Sequence, residues 1–132
     1  MNTIKEVRKE HVARINNAIF YIESNLSKKI VLNDIAQKAY FSPFHFHRIF
    51  SLVVGETVHN FITRNRIEKA AGLLVNQSDL PITEVSEKLG FTSLSAFSRA
   101  FKKFYGISPN DFKELSPSKF SKICKTESKK GQ

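Results

Sequence analysis

The sequence predicts an all-α fold of about seven helices, arranged as two similar subdomains joined by a long central helix. Three observations predict it. Apolar residues recur at the three-to-four-residue spacing of amphipathic helices through most of the chain. Ser, Pro and Gly punctuate these stretches where helices start and stop. One stretch then recurs about fifty residues further on, so whatever it folds into is built twice.

The first element follows from Ile15, Ala18, Ile19, Ile22 and Leu26, which place an amphipathic helix at about 12–26. Residues 1–11 read as a flexible N-terminus, and 116–132, rich in Lys and poor in apolar residues, as a basic tail or linker. The double unit spans 12–115 between them.

The repeat aligns Leu32-Asn33-Asp34-Ile35-Ala36-Gln37-Lys38-Ala39-Tyr40-Phe41 with Ile82-Thr83-Glu84-Val85-Ser86-Glu87-Lys88-Leu89-Gly90-Phe91. After one added residue in the turn it continues: Ser42 with Ser93, Phe46 with Phe97, Arg48 with Arg99, Phe50 with Phe101, Gly55 with Gly106, Phe61 with Phe112. Ten of the 12 Phe fall inside the two copies, so the aromatic bias belongs to the repeat. Each copy reads as a short helix, a tight turn, a second helix and a stop. The short helix, with Leu32, Ile35, Ala36 and Ala39 as its apolar positions in copy one, cannot stand alone and must pack on a partner. Ser42 supplies an N-cap oxygen, Pro43 a preset φ for the first helical position, and Gly55 a C-terminal stop; Ser93 and Gly106 do the same in copy two. Two helices joined by so short a turn form a helix-turn-helix unit. Unit one covers about 12–56 and unit two about 76–115.

Between them, Val58, Phe61, Ile62, Ile67, Ala70, Ala71, Leu73 and Leu74 predict one long helix at about 57–75, opened by Thr57 as N-cap. Such a helix is about 27 Å long, comparable with the ~34 Å turn that separates neighbouring major-groove faces of B-DNA. Arg64, Asn65 and Arg66 interrupt its apolar pattern, either as a solvated face or as phosphate contacts.

The second helix of each copy divides cleanly by its period. Phe46, Ile49, Phe50 and Val53 form the buried stripe in copy one, and Phe97, Ala100, Phe101 and Phe104 in copy two. The opposite faces carry Phe44, His47, Arg48 and Ser51, and Ser95, Ser98, Arg99 and Lys102, with no carboxylate among them. Arg pairs bidentately with the guanine major-groove edge, and Ser or neutral His can serve several bases. Phe44 either touches a thymine methyl or sugar or tucks back onto its own domain.

Composition narrows the partner. The 132 residues hold 21 Lys and Arg against 12 Asp and Glu, a net charge of +9, which favours an anionic partner such as nucleic acid or a membrane surface. With 41% hydrophobic and 25% charged residues the chain is not wholly disordered. It has neither an apolar run of the ~18 residues that would suggest a membrane span nor the apolar core of a secretion signal. Its single Cys, Cys124, can form no intramolecular disulfide and no thiolate zinc cluster; a cytoplasmic location follows. An enzyme finds little support. His45 and His47 lie on different helix faces, His11 and His59 have no carboxylate at ligand spacing, and no Gly-rich phosphate loop occurs, so no metal or cofactor is expected.

Gly90-Phe91, Phe97-Ser98-Arg99-Ala100-Phe101-Lys102-Lys103 and Gly106-Ile107-Ser108-Pro109 with Phe112 resemble, in residues and spacing, the second-unit signature of the AraC/XylS-type transcription regulators. The resemblance covers about 15–115. It implies a sequence-specific DNA-binding regulator, an activator, that inserts two recognition helices into adjacent major-groove segments. Double-stranded DNA and RNA polymerase are its implied partners, with this segment a monomer and no membrane involved. Carried over by position, it makes Phe44, His47 and Arg48 the readers of one groove segment and Leu94, Ser95, Ser98 and Arg99 those of the next. Phosphate contacts are expected from Ser42, Ser51, Arg64, Arg66, Ser93, Lys102 and Lys103. Leu94 is apolar where the family often has a polar residue, and Ala96 small where an aromatic is common, so the second unit is expected to read fewer bases directly. Two alternatives stand beside this: a helix-turn-helix module that binds proteins or DNA without sequence preference, and the DNA-binding fragment of a longer ligand-responsive regulator.

Overall fold

The computed structural model describes residues 7–77 and 79–115. The expected tail, with Cys124, and the first six residues lie outside that range. Among the described residues there are seven helices and no strand: α1 (Lys9–Ser24), α2 (Leu32–Lys38), α3 (Pro43–Val54), α4 (Val58–Asn76), α5 (Ile82–Lys88), α6 (Leu94–Tyr105) and α7 (Pro109–Lys113). They fall into two compact units that meet in sequence between Asn65 and Arg66.

That boundary corrects the expected organisation. A separate linker at 57–75 is not what α4 provides, because each half of the helix belongs to a core. Val58, Phe61 and Ile62 are buried with α1, α2 and α3 in unit one. Ile67, Ala70, Ala71 and Leu74 are buried with α5, α6 and α7 in unit two. Phe50 and Phe61 meet edge to face at 5.5 Å in the first core, and their repeat counterparts Phe101 and Phe112 at 5.1 Å in the second. Phe46, Phe50, Phe97, Phe101 and Phe112 are sealed from solvent, and loss of so large a buried side chain from a small core is costly.

The N-terminus is also corrected. Helix α1 starts at Lys9, inside the stretch 1–11 expected to be flexible. The Arg8 backbone N–H donates to His11 Nδ1 (3.3 Å) while the His11 N–H donates to the Arg8 carbonyl (2.9 Å), which satisfies groups that a helix start leaves unpaired. At the other end Asn25 Nδ2 donates to the Tyr21 carbonyl (2.7 Å) and closes the helix short of Leu26, which is nonetheless buried.

Stops and starts repeat between the copies. Ser42 Oγ accepts from the His45 N–H (3.3 Å) and Ser93 Oγ from the Ala96 N–H (3.0 Å). Gly55 and Gly106 close α3 and α6 in the left-handed region, at φ 88° and 80°. Thr57 Oγ1 caps α4 through the Asn60 N–H (3.1 Å), and Ser108 Oγ caps α7 through the Asp111 N–H (3.1 Å).

Candidate nucleic-acid interface

Each unit presents one face of its second helix. The α3 N-terminus is set by the Ser42 cap and Pro43, and no acidic residue sits in its first turn. Phe46, Ile49 and Phe50 turn into the core, which leaves Phe44, His47 and Arg48 exposed and Ser51 half-buried. Phe44 is 78% exposed, so it does not tuck back onto its domain.

A stack of rings fixes α3 against α1. His11 lies 5.5 Å from Phe41 and 5.6 Å from His45, and Phe41 lies 5.2 Å from His45, centroid to centroid. The Arg14 guanidinium sits over the Phe41 ring at 5.3 Å, and its Nη1 donates to the Tyr40 carbonyl (3.4 Å). His45 therefore belongs to the scaffold and His47, on the other side of α3, to the outward face. Sequence periodicity separates the two histidines but does not find this stack, because His11 and His45 are brought together only by tertiary packing.

The α6 face is built alike. Ser95, Arg99, Lys102 and Lys103 are exposed, Leu94 is 43% exposed, and Ser98 is half-buried. Leu94 and Ser98 also line an open hollow of about 310 Å³ within unit two, shared with Ile82, Thr83, Pro109 and Asn110. Lys102 and Lys103 lie in the last turn of α6, where cations complement the helix dipole as well as any external anion.

Two of the expected phosphate contacts, Arg64 and Arg66, lie partly buried. Arg64 donates to Glu56 from Nη2 (2.6 Å) and Nε (3.2 Å), with side-chain exposures of 33% for Arg64 and 21% for Glu56. Asn60 Nδ2 donates to the same carboxylate. Burial alone would raise the Glu56 pKa, but the hydrogen bonds from Arg64 and Asn60 and the Arg64 charge outweigh it and hold the group below its ordinary value. Arg64 is thus committed inside unit one. Arg66 is half-buried, and desolvation lowers its guanidinium pKa. Ser42, Ser51, Ser93, Lys102 and Lys103 keep positions compatible with backbone contact.

Among the described residues no three His, Cys, Asp or Glu side chains gather as a metal-binding group, and no helix is long and apolar enough to cross a membrane.

Two helix-turn-helix units, each with a capped second helix whose outward face is hydrogen-bonding, basic and free of carboxylates, define a bipartite domain of the DNA-binding class. Residues 35–115 match the family described as "Helix-turn-helix domain". The chain is 32% identical to the probable transcriptional regulator LumQ of Photobacterium leiognathi over 82% of its own length and 42% of that protein. It is 34% identical to the HTH-type transcriptional activator AarP of Providencia stuartii over 73% of its length and 70% of that protein. Among solved structures, the DNA-binding domain of the global transcriptional factor AdpA, in complex with a target DNA, superposes with a TM-score of 0.72 at 25% identity, covering 76% of this chain and 89% of that one. The chain belongs to the AraC/XylS-type family of helix-turn-helix transcription regulators. It spans less than half the length of LumQ.

Proposed function

We propose that this chain is a sequence-specific DNA-binding transcription regulator that inserts α3 and α6 into the major groove, each in its own segment. The observation that carries this reading is the duplicated outward face: Arg48 and Arg99 occupy equivalent positions on two helices that have no acidic residue in their first turns. In this reading each Arg donates bidentately to a guanine edge, while His47, Ser95 and Ser98 serve neighbouring bases. Phe44 and Leu94 give apolar contact to thymine methyls. The Ser42 and Ser93 oxygens cap their helices and leave the hydroxyl protons for phosphate oxygens, alongside Ser51, Lys102 and Lys103.

Similarity to an activator supports the same role here, acting on RNA polymerase from a bound promoter, as a monomer, in the cytoplasm and without enzymatic activity. The test is duplex binding by the full chain across a salt series. Affinity should fall steeply with ionic strength, as expected when cations displace phosphate counterions, and a selected site should be preferred over random duplex by ~4 kcal/mol or more. Equal affinity for both duplexes would favour a non-specific module instead.

A further inference from the structure

Tyr40 is the single non-glycine residue with positive φ among the described residues, at 63°. It follows α2 in a Schellman-type stop: the Tyr40 N–H donates to the Gln37 carbonyl (3.0 Å) and the Phe41 N–H to the Ala36 carbonyl (2.9 Å). Copy two makes the same pair of bonds, from Gly90 to Glu87 and from Phe91 to Ser86, both 3.1 Å, with Gly90 at φ 76°. Glycine adopts this conformation without strain, and an aromatic residue does not. Unit one therefore carries a strained residue where unit two carries a relaxed one, for an identical backbone motif.

Packing offers no return for that strain. The Tyr40 side chain is 78% exposed, as exposed as Phe44, and the Arg14 bond is to the Tyr40 carbonyl, which any residue would supply. Strain held around an exposed side chain points to a use for the side chain outside the fold.

The turn's location says what that use is. In a helix-turn-helix the first helix crosses the nucleic-acid backbone and the second enters the groove by its N-terminal end. Tyr40 stands two residues before the Ser42 cap and four before Phe44, where the chain passes from backbone to groove. We infer that Tyr40 is a DNA-backbone contact, its ring packed on a deoxyribose at the groove edge and its phenol hydroxyl donating to a phosphate oxygen. The inference rests on the DNA-binding reading of this fold and adds a contact that exists in unit one only.

The experiment compares Tyr40→Gly, Tyr40→Phe and Arg48→Ala with the parent full chain, using melting temperature and affinity for two duplexes, one selected by the parent and one random. Tyr40→Gly removes both strain and ring. It should melt no lower than the parent yet bind both duplexes about 5-fold or more weakly, by the same factor, as a sequence-independent contact requires. Tyr40→Phe should lose part of that affinity on both. Unchanged affinity in Tyr40→Gly, a loss confined to the selected duplex, or a fall in melting temperature matching the loss of binding would each overturn the assignment. Arg48→Ala separates this from the underlying reading: it should lose affinity for the selected duplex and not for the random one, narrowing the preference whatever Tyr40 does. A parent that binds neither duplex would overturn the DNA-binding reading itself.

Discussion

Glu56 and Arg64 form a two-point ion pair within unit one, with Arg64 Nη2 2.6 Å and Nε 3.2 Å from Glu56 Oε2. Because the pair holds the Glu56 pKa below its ordinary value, its stabilisation is present above the unfolded-state carboxylate pKa of ~4.3 and is lost as pH falls through the lower folded value. Both groups are partly solvated, so the contribution is discounted to about 1 kcal/mol. Glu56→Gln should lower the urea midpoint at pH 7 and lose less than the parent between pH 5 and pH 2. A variant with the parent's acid response would show that the pair does not couple to folding.

Arg64 sits eight residues from Glu56 with the Thr57 helix start between them, outside the i, i+4 spacing that makes helical ion pairs visible in a sequence. This is why its pairing with Glu56 is not legible in the sequence. The partition of α4 escaped for a related reason. Its apolar residues form two successive stripes, Val58 to Ile62 and Ile67 to Leu74, each completed by a different set of helices; local periodicity registers one long helix and cannot assign its halves. What was legible is what is locally determined: the Ser42 and Ser93 caps, the Gly55 and Gly106 stops, and the buried and outward faces of α3 and α6. Tyr40 was visible opposite Gly90 in the repeat, but its significance depends on a backbone angle.

The helix stops allow a clean test of backbone strain. Gly106 lies at φ 80° with no atom within 4 Å of an added Cβ, so Gly106→Ala costs only the left-handed conformation, roughly 1 to 2 kcal/mol. Thermal melting should shift down by about 4 °C or more. An unshifted melt would mean that the α6 stop does not hold this conformation in solution.

Packing of the repeated rings sets the largest stability effects. Phe50→Ala and Phe101→Ala each remove a fully buried ring and should cost about 3 to 5 kcal/mol. Hydrogen exchange should show protection lost first in unit one for Phe50→Ala and in unit two for Phe101→Ala. Either variant melting like the parent would contradict the assignment of buried faces.

Charge and sequence reading separate on α6. Replacing Lys102 and Lys103 by Ala should weaken binding to selected and random duplexes alike and make the slope of log K against log salt shallower, by about 1 for each phosphate no longer neutralised. A changed base preference with an unchanged slope would move these lysines into the base-reading set.

The central claim is that two equivalent arginines read DNA from two helices. Selection of preferred sites from random duplex DNA, run with the full chain, Arg48→Ala and Arg99→Ala, tests it most directly. The parent should enrich two short sequence blocks, and each variant should lose preference at a position in a different block, with binding to the parental site weakened by about 1 to 3 kcal/mol. No enrichment by the parent, or the same block lost in both variants, would contradict it.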